Sequence, residues 1–181
     1  MATPVEWRRL AHHTHSHATR RAVRCAVLTV SDTRSAENDG SGACIRDRLE
    51  GAGHGVAAHR IVPDERDAIT AAVRSFVDDR DVDVVIITGG TGLAPRDVTY
   101  EAIDEMLRKR MDGFGELFRM LGYEQIGSAA MLSRAVAGVI ETTVVFALPG
   151  SPAACELALD RLILPELGHA VSLANPRAKE H

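Results

Sequence analysis

The sequence predicts an α/β fold: a three-layer α/β/α sandwich with a mostly parallel central sheet. Three observations predict it. Short apolar runs rich in β-branched residues, such as residues 25–30 (CAVLTV) and 83–88 (DVVIIT), alternate with segments of helical period. Strands that are apolar throughout need cover on both faces, which is the habit of parallel sheets. The residues that directly follow these runs are small, hydroxylated or acidic, and ligands of such sheets bind at the carboxyl ends of the strands.

The elements follow in chain order. Residues 1–22 show neither period, are rich in arginine and histidine, and are expected to be a flexible extension. Residues 25–30 form the first strand. Ser41 is placed to cap a helix running to about Glu50 with Ile45 and Leu49 inward, and Gly51, Gly53 and Gly55 stop it. Residues 56–62 are a second strand. Asp64 or Asp67 starts the next helix, whose Ile69, Ala72, Val73, Phe76 and Val77 share one face. Residues 83–88 are the clearest strand and run into Gly89-Gly90-Thr91-Gly92. A helix follows from near Thr99 with Ile103, Met106 and Leu107 inward, and residues 112–133 are helical in part. Residues 135–140 and 143–148 read as strands. Ser151 caps and Pro152 opens a helix through Leu164, where Pro165 interrupts it or begins a last short one. The folded domain is expected over residues 23–172, with a tail at 173–181.

Composition removes several classes of function. A chain of 181 residues carries one domain with a full core. With 45% hydrophobic and 25% charged residues it has the profile of a folded soluble protein. A net charge of −4 argues against a nucleic-acid binder, and 4% aromatics against base-stacking platforms. No apolar run approaches the about 20 residues that span a bilayer. Cys25, Cys44 and Cys155 are widely spaced with no Cys-x-x-Cys, so neither a disulfide framework nor a zinc knuckle is supported. The first 21 residues lack the apolar stretch of a secretory signal, so a cytoplasmic protein is expected. Lys109 and Lys179 are the only lysines, so a phosphate site would use arginine, backbone N–H groups or a metal.

The segments after the strands carry the chemistry. The loop at Gly89–Gly92 can expose N–H groups to an anion, with the following helix adding a favourable dipole. It continues Leu93-Ala94-Pro95, so it is not a Walker A loop, and Pro95 stands where a dinucleotide fingerprint wants Gly or Ala. An ordinary tight turn is the alternative. Asp64 and Asp97, after different strands, could share a Mg²⁺ or could each cap a helix; Thr99 as the cap would free Asp97. Asp32, Asp39 and Ser41 could contact a nucleotide or simply turn the chain, and Arg34, Arg96 and Arg134 could clamp phosphates or sit on the surface. Ser151 lacks a nucleophile elbow. Cys25 and Cys155 are expected to be packed, and His54 and His59, which have no matched partner, to be on the surface. His12, His13, His15 and His17 could bind a metal or belong to a solvated tail.

The ordered set of Thr29-Val30-Ser31-Asp32-Thr33-Arg34, Asp39-Gly40-Ser41-Gly42, Pro63-Asp64-Glu65, Thr88-Gly89-Gly90-Thr91-Gly92, Arg96-Asp97-Val98-Thr99, Glu101-Ala102 and Leu148-Pro149-Gly150-Ser151-Pro152 resembles the molybdenum cofactor biosynthesis family. That family comprises molybdopterin adenylyltransferases and molybdenum cofactor biosynthesis protein B, and the resemblance covers about residues 23–172. It implies a compact α/β domain assembled as a homo-oligomer, a trimer or in the protein B branch a hexamer, that binds molybdopterin and ATP and neither nucleic acid nor membrane. In the adenylyltransferase branch the terminal phosphate of molybdopterin attacks the α-phosphate of Mg-ATP, pyrophosphate leaves, and the activated pterin accepts molybdate next. The aspartates essential there match Asp64 and Asp97, implied as catalytic and Mg²⁺-binding. Ser31, Asp32, Asp39, Ser41, Gly89, Gly90, Thr91, Gly92, Glu101, Pro149, Gly150 and Ser151 are implied to shape the binding pocket. Tyr100 departs from the family, which often has Pro there. The alternative the resemblance leaves is a non-catalytic molybdopterin-binding or scaffold protein of the protein B branch.

Overall fold

A computed structural model describes residues 22–175. One sheet holds β1 (Arg24–Val30), β2 (Gly55–Val62), β3 (Val84–Thr88), β4 (Lys109–Arg110), β5 (Val136–Ile140) and β6 (Thr143–Leu148) in the order β2-β1-β3-β6-β5-β4. The first four strands of that order pair in parallel; β5 is antiparallel to β6, and β4 to β5. Among the described residues the α-helices are α1 (Gly40–Gly51), α2 (Arg66–Val77), α3 (Thr99–Met106), α4 (Asp112–Ile126), α5 (Pro152–Ala158) and α6 (Leu164–Ala174), with a 3-10 helix at Gly127–Leu132. The three-layer, mostly parallel architecture is the expected one. β4 is an addition: two exposed charged residues carry no strand pattern and are drawn into the sheet by pairing with Gly138 and Val139.

Side chains of successive strand residues point to opposite faces. Cys25, Val27, Val84, Ile86 and Phe146 pack on one face against α1 (Ile45, Leu49), α4 (Phe114, Phe118) and α6 (Leu167, Val171). Ala26, Leu28, Val85, Ile87 and Val145 pack on the other against α2 (Ile69, Val73, Phe76) and α3 (Ile103). Both faces are dry, so both strand registers had to be apolar. Each fully buried Leu, Ile, Val or Phe contributes about 1.5–3 kcal/mol. Cys25 and Cys155 are buried as expected, and burial pushes their thiols up to about 12 and about 11.

Helix ends differ from expectation in places. Asp39, not Ser41, caps α1, because a cap must lie ahead of the first turn to reach its free N–H groups; the carboxylate accepts from Gly42 N–H at 2.9 Å. Glu65 and Val98 precede α2 and α3 without a side-chain cap bond, so neither Asp64 nor Asp67 nor Thr99 caps a helix. Ser151 caps α5 as expected, accepting from Ala154 N–H at 3.2 Å. A π turn at Leu159–Ile163 separates α5 from α6, with Leu164 N–H bonded to the Leu159 carbonyl. Pro165 stands in the first turn of α6, where its missing N–H costs nothing, and that helix runs through Ala174, past the expected boundary at 172. Among the described residues no helix is long and apolar enough to cross a membrane. The four histidines at 12, 13, 15 and 17 lie outside the described residues.

One topological feature positions the site. The chain leaves β1 through α1 on one face to reach β2, then returns through α2 on the other face to β3, which lies beside β1. The loops leaving β1 and β3 therefore turn to opposite sides of the sheet, and a crevice opens over their carboxyl ends.

Candidate functional site

The glycine loop after β3 fills one wall of that crevice. Gly89 (φ +102°) and Gly90 (φ +65°) both adopt a conformation that L side chains avoid. A Cβ on Gly89 would overlap the Val30 carbonyl oxygen, and Gly89 N–H donates to the Leu148 carbonyl at 3.1 Å, so the loop is pinned between β1 and β6. The carbonyls of Gly90, Thr91 and Gly92 are taken. Thr99 N–H donates to Gly90 O at 2.9 Å, and the Arg134 guanidinium donates to Thr91 O at 2.9 Å and Gly92 O at 2.6 Å. The N–H groups of Gly90, Thr91 and Gly92 have no acceptor among the described residues. Three bare amides with their carbonyls held away are the raw material of an anion site.

Two carboxylates flank this loop. A Cβ on Gly90 would lie 2.7 and 2.8 Å from the Asp64 carboxylate oxygens and against Thr99 Oγ1; one on Gly92 would lie 2.5 Å from Asp97 Oδ2. Asp64, after β2, and Asp97, ahead of α3, thus converge on residues two apart in one loop. Asp97 accepts from Ala94 N–H at 2.9 Å and closes a turn. Burial lifts the Asp64 carboxyl above the usual carboxylate range, against a weak contact from Val98 N–H, and the charges of Asp97 and Asp32 push the same way. Asp32 accepts from Asp64 N–H at 3.1 Å and from Arg96 Nε at 2.7 Å, and the Arg96 bond holds it below its ordinary value. Thr99 Oγ1 is buried and has no hydrogen-bond partner among the described residues.

The remaining residues singled out by the sequence divide. Ser41 Oγ donates to Gly150 O at 2.8 Å and Thr88 Oγ1 to Pro149 O at 3.0 Å, which ties the turn after β6 to α1 and β3. Glu101 pairs with Arg134 and is held below the usual range by it, so its carboxylate is committed to that arginine. Asp39 is 4% exposed and serves the fold: it caps α1, accepts from Thr29 Oγ1 at 2.6 Å and meets His59 Nε2 at 3.0 Å. Burial works to raise its carboxyl, and the bonds from Thr29, Gly42 and His59 outweigh that and lower it.

The histidine expectation is corrected. His59 is the partner of Asp39, and His54 is buried, accepting from Val23 N–H at Nδ1, with burial lowering its pKa.

Several clefts open here. One of about 290 Å³ is lined by Arg66, Asp97, Glu101 and Arg134. One of about 410 Å³ is lined by Gly90, Gly92, Asp97, Arg134, Gly150 and Ser151. A smaller one of about 140 Å³ lies beside it, shares Gly150, and is lined by Ser31, Arg34, Ser41 and Gly89. A cavity of about 540 Å³ lies at the far sheet edge against Lys109, Arg110 and Leu173, and none of the sequence-predicted site residues lines it.

Comparison with known proteins was made on this geometry. Residues 26–169 match the model of the probable molybdopterin binding domain family. The chain is 55% identical over 150 residues to molybdenum cofactor biosynthesis protein B of Bacillus subtilis (strain 168), covering 82% of this chain and 88% of that one. It superposes on a crystal structure of molybdenum cofactor biosynthesis protein B with a TM-score of 0.84 at 50% identity, covering 85% of this chain and 96% of that one. It also resembles the tungsten cofactor synthesizing protein MoaB from Pyrococcus furiosus, at a TM-score of 0.77 and 36% identity over 85% of this chain and 98% of that one.

Proposed function

The chain belongs to the probable molybdopterin binding domain family of molybdenum cofactor biosynthesis proteins, and from that premise we propose that it binds molybdopterin and Mg-ATP and adenylylates the pterin. One observation carries the reading: the free N–H groups of Gly90, Thr91 and Gly92 lie between the carboxylates of Asp64 and Asp97.

The donor set fits a magnesium ion. Mg²⁺ takes hard oxygen ligands, commonly one or two carboxylates with the rest from substrate phosphates and water. Asp64 and Asp97 are such carboxylates, and the orphaned, buried Thr99 hydroxyl adds an oxygen beside Gly90, at a spot that a Cβ would fill. Bound there, the ion would neutralise charge on the ATP phosphates.

The chain itself supplies binding and alignment. The amides of Gly90, Thr91 and Gly92 hold a phosphate oxygen, and the turn at Pro149, Gly150 and Ser151 forms the opposite wall. Asp64 and Asp97 would hold the cation that pairs with the polyphosphate. A phosphate oxygen of molybdopterin then forms a bond to the α-phosphorus of ATP. The bond from that phosphorus to the bridging oxygen breaks, and pyrophosphate leaves with the electron pair. Joining two polyanions this way calls for positioning and charge neutralisation, with no nucleophile from the protein. Leu117, Met120, Tyr123, Ile126 and Met131, all exposed on α4 and the turn after it, are the surface through which a trimer or hexamer would assemble.

The test is direct. Incubation with molybdopterin, ATP and Mg²⁺ is expected to yield pyrophosphate and adenylylated pterin in equal amounts. Tight pterin binding with no product, and with affinity indifferent to Mg-ATP, would instead establish a carrier or scaffold.

A further inference from the structure

A buried carboxylate behind the crevice wall has a single cationic partner, and that partner titrates. Asp39 ends the loop that leaves β1, and its side chain is 1% exposed. Its Oδ1 accepts from Gly42 N–H in the first turn of α1, while Oδ2 accepts from Thr29 Oγ1 and meets His59 Nε2 at 3.0 Å. Among the described residues His59 is the only cationic side chain within ion-pair distance of Asp39. An ionised carboxylate taken out of water is costly unless it is hydrogen-bonded and paired, so the charge state of His59 matters to everything Asp39 holds.

The geometry decides where the ring carries its protons. Nε2 faces Oδ2, and the nearby Thr29 hydroxyl has already given its hydrogen to that carboxylate, so Nε2 bears a hydrogen in either charge state. Nδ1 has no partner among the described residues, and the side chain is 18% exposed, so the second proton arrives there from water. Its arrival turns a neutral hydrogen bond into a charge-assisted one.

This pair stands directly behind the binding surface. Thr29 and Ser41 both line the cleft of about 140 Å³. Ser41 and Gly42 belong to the helix turn that Asp39 caps, and Ser41 Oγ holds the Gly150 carbonyl of the opposite wall. A Cβ on Gly42 would lie 2.8 Å from His59 Nε2, so the ring touches the start of the helix. Three arginines complete the charged surroundings. Arg34 Nη1 lies 4.0 Å from a Cβ on Gly40, and Arg46 is one turn along α1 from Gly42, with its buried Nε unpartnered among the described residues. Arg60, next to His59 in β2, turns to the other face of the sheet and stacks on Phe76. Of these groups Asp39 alone pairs with the ring.

We propose that His59 is a positioning residue for anion binding in the crevice: through Asp39 it holds the end of the β1 loop and the first turn of α1, and its second proton favours a bound anion. This rests on the reading of the crevice as an anion site, and adds to it a proton-controlled support. Charged, the ring tightens the Asp39 contact and sets a positive charge behind the cleft wall. Neutral, it leaves the Asp39 charge uncompensated there, and an anion in the cleft is repelled. Anion affinity then rises as pH falls through the range in which an imidazole titrates, and binding takes up protons.

Inorganic sulfate is the probe, because it keeps its full charge over this range, where phosphate groups themselves titrate. Isothermal titration at fixed ionic strength is expected to show sulfate binding about threefold tighter or more at about pH 6 than at about pH 8. Repeating it in buffers of unlike ionisation heat should reveal net proton uptake. His59→Gln keeps an N–H for Asp39 and cannot titrate, so its sulfate affinity should be the same at both pH values. His59→Ala, which strands the carboxylate, should bind more weakly than the parent at both, and circular dichroism of the variants controls for folding. Equal affinity of the parent at both pH values, a gain kept in full by His59→Gln, or no sulfate binding by the parent overturns the proposal. Proton-linked sulfate binding in a protein that forms no adenylylated pterin would remove the catalytic reading and leave the role of His59 standing.

Discussion

The guanidinium of Arg134 stacks 4.9 Å from the ring centroid of Tyr100. The ring forms a platform under the group that holds the Thr91 and Gly92 carbonyls. Lysine cannot reproduce the fork that meets both carbonyls and Glu101 at once. Arg134→Lys is therefore expected to cost about 1–3 kcal/mol of stability and to weaken nucleotide binding. Tyr100→Phe, which keeps the ring, should change stability by under about 0.5 kcal/mol. Urea unfolding and nucleotide titration check both.

Gly90→Ala is expected to destabilise the protein by about 1–3 kcal/mol. The residue combines a positive φ with a Cβ position already crowded by the Asp64 carboxylate and Thr99 Oγ1. Gly51, where a Cβ meets nothing within 4 Å and φ is helical, is the matched control and should tolerate alanine. Thermal denaturation of the two variants separates them.

Asp64→Asn is expected to abolish adenylyl transfer while raising thermal stability at neutral pH. The folded-state pKa of Asp64 is raised, so folding favours its neutral form and the protein loses stability as pH rises through that value. Below the unfolded carboxyl pKa of about 3.9 both states are protonated and the advantage of Asn should vanish. The melting temperature of variant and parent followed from pH 3 to pH 8, taken as roughly the span of the effect, must therefore diverge upward. Asp97→Asn should also abolish transfer.

Asp39 behaves in the opposite sense. Its folded pKa is depressed, so its contribution is complete above the unfolded value and disappears as pH falls through the folded one. Asp39→Ala is expected to cost about 2 kcal/mol or more, from the lost cap and the stranded Thr29 hydroxyl and His59 ring. Its stability curve should be flatter than the parent's in acid.

The fold was legible because the core strands are apolar on both faces and each β–α segment ends in turn residues. Residues such as Val27 and Leu28 report burial whichever way they point. β4 was not legible, since Lys109 and Arg110 owe their strand pairing to β5 and carry no pattern of their own. Within the site, the glycine loop and the two aspartates announce themselves by residue type. What Glu101, Arg134, Asp39 and His59 do depends on which partner a distant segment brings, and local spacing holds no trace of that. The pairing of Asp39 with His59 joins the start of α1 to strand β2, so it becomes visible only once the helix is packed beside the sheet.

The hydrogen bond from Ser41 to Gly150 joins positions 109 residues apart, and Gly89 leans on Leu148 in the same way. The crevice therefore has no wall opposite α1 until β6 is in the sheet. A chain emerging from the ribosome cannot capture its ligands early, and a product truncated before β6 would be inert, not partly active. Completion of the crevice is in this way a late event that marks a finished molecule.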